Sequence, residues 1–168
     1  TCDLLMSRIK LYQDKWDETI SNANTVIEKA GLSKMYANQP FIISANEEVL
    51  YSYNTLYPIL RLYNYGTVYS TTSFYTNKAL INLYDTNDNR KSLFFQAVDD
   101  GTGRFNYRTK KYEPGLFTGM GYGNLRVAEA YLNRAEAYAQ KGDVANAIND
   151  IKALHANRYS SVSGIVYP

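Results

Sequence analysis

Asp85-Thr-Asn87-Asp-Asn89 begins like a calcium-binding loop, with side-chain oxygens at alternate positions. Such a loop needs a glycine at its sixth position and a bidentate glutamate at its twelfth. Here those positions hold Arg90 and Gln96, so both the sharp turn and the strongest ligand are missing. Gly119-Met-Gly121-Tyr-Gly123 has glycines spaced almost as in a dinucleotide-binding turn. The third comes one residue early and no apolar strand precedes it, so the segment reads as a flexible lead into a helix. His155 is the single histidine, and any Ser-His-Asp or Cys-His relay would have to run through it. It falls at a helix end beside an apolar stripe, where a structural role is expected. Glycoside hydrolysis needs two carboxylates separated by about 5 to 9 Å. Asp85, Asp88, Asp99, Asp100 and Glu113 could supply them, but no spacing selects a pair, and Asp99-Asp100-Gly101 is a turn sequence. Glu129 and Glu136 lie two turns apart on one helix, where Arg126 and Arg134 are expected to pair with them. Cys2 is the only cysteine, which excludes an internal disulfide and a multi-cysteine zinc site. These residues assign no catalytic group, no metal site and no cofactor.

What remains is binding chemistry. The 168 residues carry 18 Lys and Arg against 16 Asp and Glu, a net charge of +2. That balance excludes a nucleic-acid binder driven by phosphate neutralisation, and equally an acidic, cation-loaded surface. The unusual count is tyrosine, with 17 against six Phe and one Trp. Tyrosine joins a flat apolar face to a polar tip, which suits an uncharged polar ligand; half-buried packing in an irregular core is the competing use. Residues 36–84 hold nine of the tyrosines and only four charges, Glu47, Glu48, Arg61 and Lys78. Pro58, Gly66 and Ser70-Thr-Thr-Ser mark loops there. Tyr57, Tyr63, Tyr65, Tyr69, Phe74 and Tyr75 are therefore the candidate ligand-binding residues, carried on loops above a rigid frame.

Two helical hairpins would supply that frame. Residues 124–142 predict one helix, capped by Asn124 and ended by Gly142, with Leu125, Ala128, Leu132, Ala135 and Ala139 on one stripe. Asp143 caps a second helix, with Val144, Ala147, Ile148, Ile151 and Leu154 on one face. The short turn between them makes the helices antiparallel. The N-terminal third repeats the design. Leu4, Leu5, Arg8, Ile9 and Tyr12 form one stripe, and Ile20, Ala23, Ile27 and Ala30 a second, closed by Gly31. At an offset of 126 positions Arg8 matches Arg134, Tyr12 matches Tyr138, Lys15 matches Lys141 and Asp17 matches Asp143. This is degenerate tetratricopeptide logic, and it predicts that Tyr12 and Tyr138 are packing residues. The organisation is a single domain: a hairpin over 1–31, a tyrosine-rich region of loops and short helices over 32–123, and a hairpin over 124–159. Within the middle region Ala79–Tyr84 predicts a short helix, and 85–123 mostly loop with one or two short strands. No apolar run approaches the roughly 20 residues of a membrane span. The opening TCDLLMSRIK has neither an initiator Met nor a signal-peptide pattern, so a mature piece or an excised fragment is expected.

The assembled segments resemble a known family. Arg126-Val-Ala-Glu129-Ala-Tyr-Leu132-Asn-Arg-Ala135-Glu136-Ala137, followed by Gly142, Ala147, Ile148 and Ile151, resembles the R-x-A-E-x-Y-L-x-x-A-E-A signature of the SusD/RagB family, the outer-membrane nutrient-binding lipoproteins of Bacteroidetes-type bacteria. Arg8-Ile-Lys-Leu11-Tyr12 with Trp16-Asp17 and Val26-Ile27 is similar to that family's first hairpin. Asn46-Glu-Glu48-Val49-Leu50 resembles its N-x-E-V-I, and Leu83-Tyr84-Asp85-Thr-Asn-Asp88-Asn-Arg90 its L-Y-x-x-x-D-x-R. The matches keep their order over essentially the whole chain. Departures are Ile20 or Ser21 where a packing Ala is usual, and the lack of the family's lipid-attachment and C-terminal segments, so the chain reads as the middle of such a protein. The resemblance implies a mainly α fold: tetratricopeptide-like hairpins with a long loop-rich insertion. It implies non-catalytic binding of an oligosaccharide, or in some relatives a peptide, for uptake through a SusC-like TonB-dependent transporter. It also implies a place on the outer surface of the cell outer membrane, held by a lipid anchor on the parent chain. A helical scaffold that binds protein or peptide rather than sugar is the alternative. Apolar stripes left without their usual cover imply association, with another copy or with the rest of a parent chain.

Overall fold

The computed structural model describes residues 1–35, 47–53, 75–99, 105–109 and 122–167. Helices dominate these residues. Helix α1, Cys2–Leu11, and helix α2, Trp16–Lys29, form the first hairpin. The turn between them places Asp14 in the left-handed region at φ 57°. Asp17 and Glu18 sit in the first turn of α2, where negative charge complements the helix dipole.

Strand β1, Val49–Tyr53, pairs antiparallel with β4, Tyr122–Arg126, in a register that runs from Val49 opposite Arg126 to Tyr53 opposite Tyr122. The register shifts on either side of Tyr51. Strand β4 runs straight into helix α5, Val127–Gln140. Asn124 is thus a strand residue, not a helix cap, and the helix starts two residues later than its sequence pattern predicts, with Arg126 at the cap position. The extended conformation wins because β1 offers residues 122–126 a hydrogen-bonding partner, and Arg126 in extended backbone at the helix entrance fixes the corner. The turn and caps of the second hairpin follow expectation, although Val144, expected on the apolar face, is 54% exposed at the start of its second helix. Gly142, at φ 79°, ends α5, and the Asp143 carboxylate accepts from the Asn146 N–H at 3.2 Å to cap α6, Val144–Arg158.

The described residues of the middle region are more regular than their composition implies. Asn77 caps helix α3, Lys78–Asn82, and Asp88 caps helix α4, Asn89–Phe94. Strands β2, Phe95–Asp99, and β3, Phe105–Thr109, then pair antiparallel from Phe95 opposite Thr109 to Asp99 opposite Phe105. Of the expectation of mostly loop with one or two short strands over 85–123, β2 and β3 bear out the strands, and helix α4 is a correction. Asp88 as a cap and the β-prone residues Phe95 and Val98 are local signals that the overall polarity hides.

The hairpins stack as adjacent repeats. Helix α2 packs between α1 and α5, α5 between α2 and α6, and α1 also touches α5. Leu4, Ala23, Val26, Leu125, Val127 and Ala130 form the buried core of this stack. A side chain such as Leu4, with no exposed surface, contributes roughly 2 kcal/mol. The stripes on α1 and α5 are rotated from those predicted, whereas Ala23 and Ile27 of α2, Ala30 at its end, and Ala147 and Leu154 of α6 pack inward as expected. On α5 the buried residues are Val127, Ala130, Asn133, Ala135 and Ala137, while Leu132 is 51% exposed. Alanines line both sides of this helix, so periodicity alone cannot choose the face. Tyr12 is 84% exposed and is not a packing residue, because α1 turns Leu4 and Ser7 inward instead. Tyr138, its equivalent, is half-buried.

Ion pairs cross between elements rather than along α5. Arg8 donates to both oxygens of Glu129, at 2.5 and 2.8 Å. Arg134 donates to both oxygens of Asp150, at 2.9 and 2.6 Å, and to the Asn24 side chain. These replace the expected partners of Glu129 and Arg134, since stacking brings opposite charges on neighbouring helices closer than those on one helix. Asn133 donates to the Ser7 hydroxyl at 2.9 Å, and Lys141 pairs with Asp17. The Ser7–Asn133 link joins positions 126 residues apart, the repeat offset itself.

Candidate functional site

A second, smaller core of Met35, Leu93 and Phe94 lies where α4 approaches α6. Polar links tie it down. The Asn89 side chain donates to the Met35 carbonyl at 2.7 Å, the Met35 N–H donates to the Asn157 carbonyl at 2.8 Å, and Lys34 donates to the Ala156 carbonyl. Beneath it Glu48 has no exposed surface and accepts from Arg158 Nη2 at 2.5 Å. Arg126 approaches the same carboxylate at 4.0 Å, and the Glu48 carbonyl accepts the first N–H of α5 at 2.9 Å. Arg158 also donates to the Ser33 carbonyl at 2.8 Å.

Over this seam opens a cavity of about 420 Å³, lined by Tyr84, Arg90, Phe95, Arg126, His155 and Arg158 among others. The Tyr84 and Phe95 rings meet edge to face with centroids 5.4 Å apart. The Arg90 guanidinium lies 5.6 Å from the Tyr84 ring centre and is held by a two-pronged pair with Asp88, Nε to Oδ1 at 2.9 Å and Nη2 to Oδ2 at 2.6 Å. Asp88 is buried, and the same carboxylate caps α4. Behind Tyr84 and Arg90 a shallower hollow of about 240 Å³ is bounded by Leu80, Leu83, Asp88 and Tyr159.

The end of α6 adds an aromatic group. The His155 ring lies 4.8 Å from Tyr159 and 5.6 Å from Tyr167, and its Nδ1 is 2.9 Å from the Tyr167 hydroxyl. Burial, reinforced by Arg90 and opposed by Asp88, holds the His155 imidazole below its usual pKa. Burial and the nearby Asp88 raise the Tyr159 phenol. The Arg158 guanidinium is lowered by burial, with Arg126 and Arg90 acting in the same direction against Glu48. Arg90 is also desolvated, but its bonds to Asp88 more than compensate and raise it.

This arrangement offers ring faces, guanidinium donors and one imidazole. The carboxylates within it, Asp88 and Glu48, are each engaged by an arginine. Among the described residues no group of three or more His, Cys, Asp or Glu is placed to hold a metal ion. Asp85, first in the calcium-like run, accepts from the Asn87 N–H at 2.8 Å in a local turn.

Of the residues selected from sequence, Tyr57, Tyr63, Tyr65, Tyr69 and Phe74 lie outside the described residues, as do Gly119 and Gly121. Tyr75 is 44% exposed, next to Thr76, whose N–H donates to the Tyr107 carbonyl. It does not line the cavity. The residues that do were missed as ligand contacts. Asp88-Asn-Arg90 and Glu48 stood within quoted motifs, so the family pattern marked the seam without revealing its partners. His155, Arg158 and Tyr159 share the last turn of α6, and the chain after it folds back to set Tyr167 against His155, with Ser160 donating to the Asn87 carbonyl at 2.9 Å.

No family model matches the chain, and no curated protein matches it. Among solved structures, it is similar to a SusD-like carbohydrate-binding protein from Bacteroides vulgatus ATCC 8482, with a TM-score of 0.72 and 22% identity. The match covers 97% of this chain and 37% of that protein, so the chain spans little more than a third of its length. The chain has the SusD-like helical fold.

Proposed function

We propose that the protein binds carbohydrate without transforming it. The observation that carries this reading is the fold shared with a carbohydrate-binding protein over nearly the whole chain. The cavity at the end of α6 supports it chemically. Sugar rings present C–H faces that pack on Tyr84 and Phe95, and their hydroxyls pair with guanidinium donors such as Arg90. The finer reading is capture of an oligosaccharide at the outer surface of a bacterial outer membrane, by a lipid-anchored parent protein, for delivery to a TonB-dependent transporter. Among the described residues no helix is long and apolar enough to cross a membrane. The six tyrosine and phenylalanine positions between Tyr57 and Tyr75 stand as further proposed contacts.

One observation favours the alternative, a scaffold for protein or peptide. Helix α1 exposes Leu5, Met6, Ile9 and Tyr12 along one side. Titration calorimetry against a broad oligosaccharide panel separates the two. Saturable heat with an oligosaccharide supports carbohydrate capture; silence across the panel rejects it. Release of reducing sugar in proportion to protein would reject the non-catalytic reading.

A further inference from the structure

We infer that the cavity beside Tyr84 takes a saccharide carrying an acidic group, a carboxylate or a sulfate ester, seated against Arg90, Arg126 and Arg158. This rests on the carbohydrate reading above and names the class of sugar. The three arginines come from separate elements: Arg90 from α4, Arg126 from the end of β4, and Arg158 from the end of α6. All three line one cavity with His155. Among the described residues Asp88 engages Arg90, and Glu48 lies beneath Arg158 and 4.0 Å from Arg126. Lys91 adds a further cation, donating to the Tyr84 carbonyl at 3.4 Å, and Lys34 another at the Ala156 carbonyl. The chain as a whole is nearly balanced at +2, so this excess is a local concentration.

The excess acts on the groups present. Burial lowers the Arg158 guanidinium and the His155 imidazole, and neighbouring arginines push both the same way. An anion in the cavity relieves that repulsion, and a guanidinium has five donors, more than one carboxylate can take up. Arginine's planar fork suits the paired oxygens of a carboxylate or sulfate. Tyr84 and Phe95 supply ring faces for the sugar itself, and about 420 Å³ lies within the roughly 300–1,000 Å³ of small-ligand sites.

The test compares three oligosaccharides of equal length, an oligogalacturonate, a sulfated oligomer and a neutral one, by calorimetry on untagged protein at low and high salt. His155 supplies a second readout. As the only histidine it gives one titrating imidazole signal, and the charged or titratable groups around it are Arg90, Asp88, Tyr159 and Tyr167, with Lys152 over the Tyr167 ring. The expected result is binding of at least one acidic oligomer tenfold or more tighter than the neutral one. That preference shrinks at high salt, and the His155 pKa rises on binding. Arg126→Met is expected to remove most of the preference; should that variant not fold, the His155 titration of the unaltered protein still decides. Equal affinity for acidic and neutral oligomers overturns the inference and leaves carbohydrate binding standing. A preference for acidic sugar that leaves His155 unmoved also overturns it, since the anion then sits elsewhere. Silence toward all three rejects the underlying reading together with the inference. Which acidic oligomer binds identifies the source of the charge.

Discussion

Where the two hairpins meet, Leu4, Ala23, Val127 and Ala130 have no exposed surface and touch through aliphatic atoms. Where α6 meets the middle of the chain, the equivalent depth is occupied by Glu48, Arg158, Asp88 and Asn89. The first seam is mostly apolar packing that tolerates adjustment, with the Ser7–Asn133 hydrogen bond among its polar links. The second depends on particular pairs, because a buried charge without its partner is far costlier than a lost methyl group. The charged seam also bears the cavity. Stability and binding therefore share residues at one seam and are separate at the other.

The sharpest way to break this contrast is at Arg158. Arg158→Met removes the cation hydrogen-bonded to buried Glu48 and is expected to cost about 3–5 kcal/mol. Adding Glu48→Leu should recover much of that loss, since two apolar groups can replace a buried pair. Urea unfolding of the single and double variants measures both; a single variant within 1 kcal/mol of the parent, on the scale of an exposed pair, would show the seam to be solvated. In the apolar seam Leu4→Ala is expected to cost about 3 kcal/mol, and no second substitution across the stack should restore it.

Sequence reasoning reached the apolar seam more easily than the charged one. The caps at Asp143 and Gly142 and the pairing of repeat positions follow from local chemistry that a linear pattern displays. The face that α5 buries does not, because alanines occupy several of its sides and only the stacking partner decides. Tyr12 shows the same gap: its repeat position resembles that of Tyr138, yet α1 has no helix on its outer side among the described residues. The cavity was harder still. Glu48 and Arg158 are 110 residues apart, and nothing in their spacing announces a pair. Composition drew attention to the tyrosines of residues 36–84, whereas Tyr84 is the only one of those nine that lines the cavity among the described residues.

Binding variants sharpen the contrast from the functional side. Tyr84→Ala is expected to weaken oligosaccharide affinity by about 1–2 kcal/mol, by analogy with base stacking on aromatic rings, with a smaller effect on melting. Alanine variants of Tyr57, Tyr63, Tyr65, Tyr69, Phe74 and Tyr75, measured for both affinity and melting, locate any further contacts. If these reduce affinity and Tyr84→Ala does not, the ligand sits over the middle segment and not in the cavity. The hairpin turns provide a smaller test confined to the stack. Gly142→Ala forces a side chain into the left-handed region at φ 79° and should cost about 1 kcal/mol. Asp14→Gly, relieving the same conformation at φ 57°, should stabilise by a few tenths of a kcal/mol after the glycine's greater unfolded freedom is deducted. Thermal melts of the two variants should move in opposite directions.

The smallest effect expected belongs to His155, and its direction follows from linkage. Burial and Arg90 hold its folded-state pKa below 6.5, the value for a free imidazole. Between those two values the unfolded chain binds the extra proton more readily than the folded one, so stability rises with pH across the window. The contribution is complete above 6.5 and is lost as pH falls through the lower, folded value. Glu18, held down by the Lys10 hydrogen bond against weak desolvation, loses its own contribution only below its usual 4.5, so the two limbs are separable. Melting temperature measured from pH 8 to below pH 4.5 should fall gently on the acid side, and His155→Gln should flatten the upper limb while leaving the one below pH 4.5. An acidic saccharide in the cavity should flatten it as well, by raising the folded-state pKa toward 6.5, whereas a neutral one should leave it in place. A slope that persists in His155→Gln would assign the acid limb to another group and remove the imidazole from the charged seam's account.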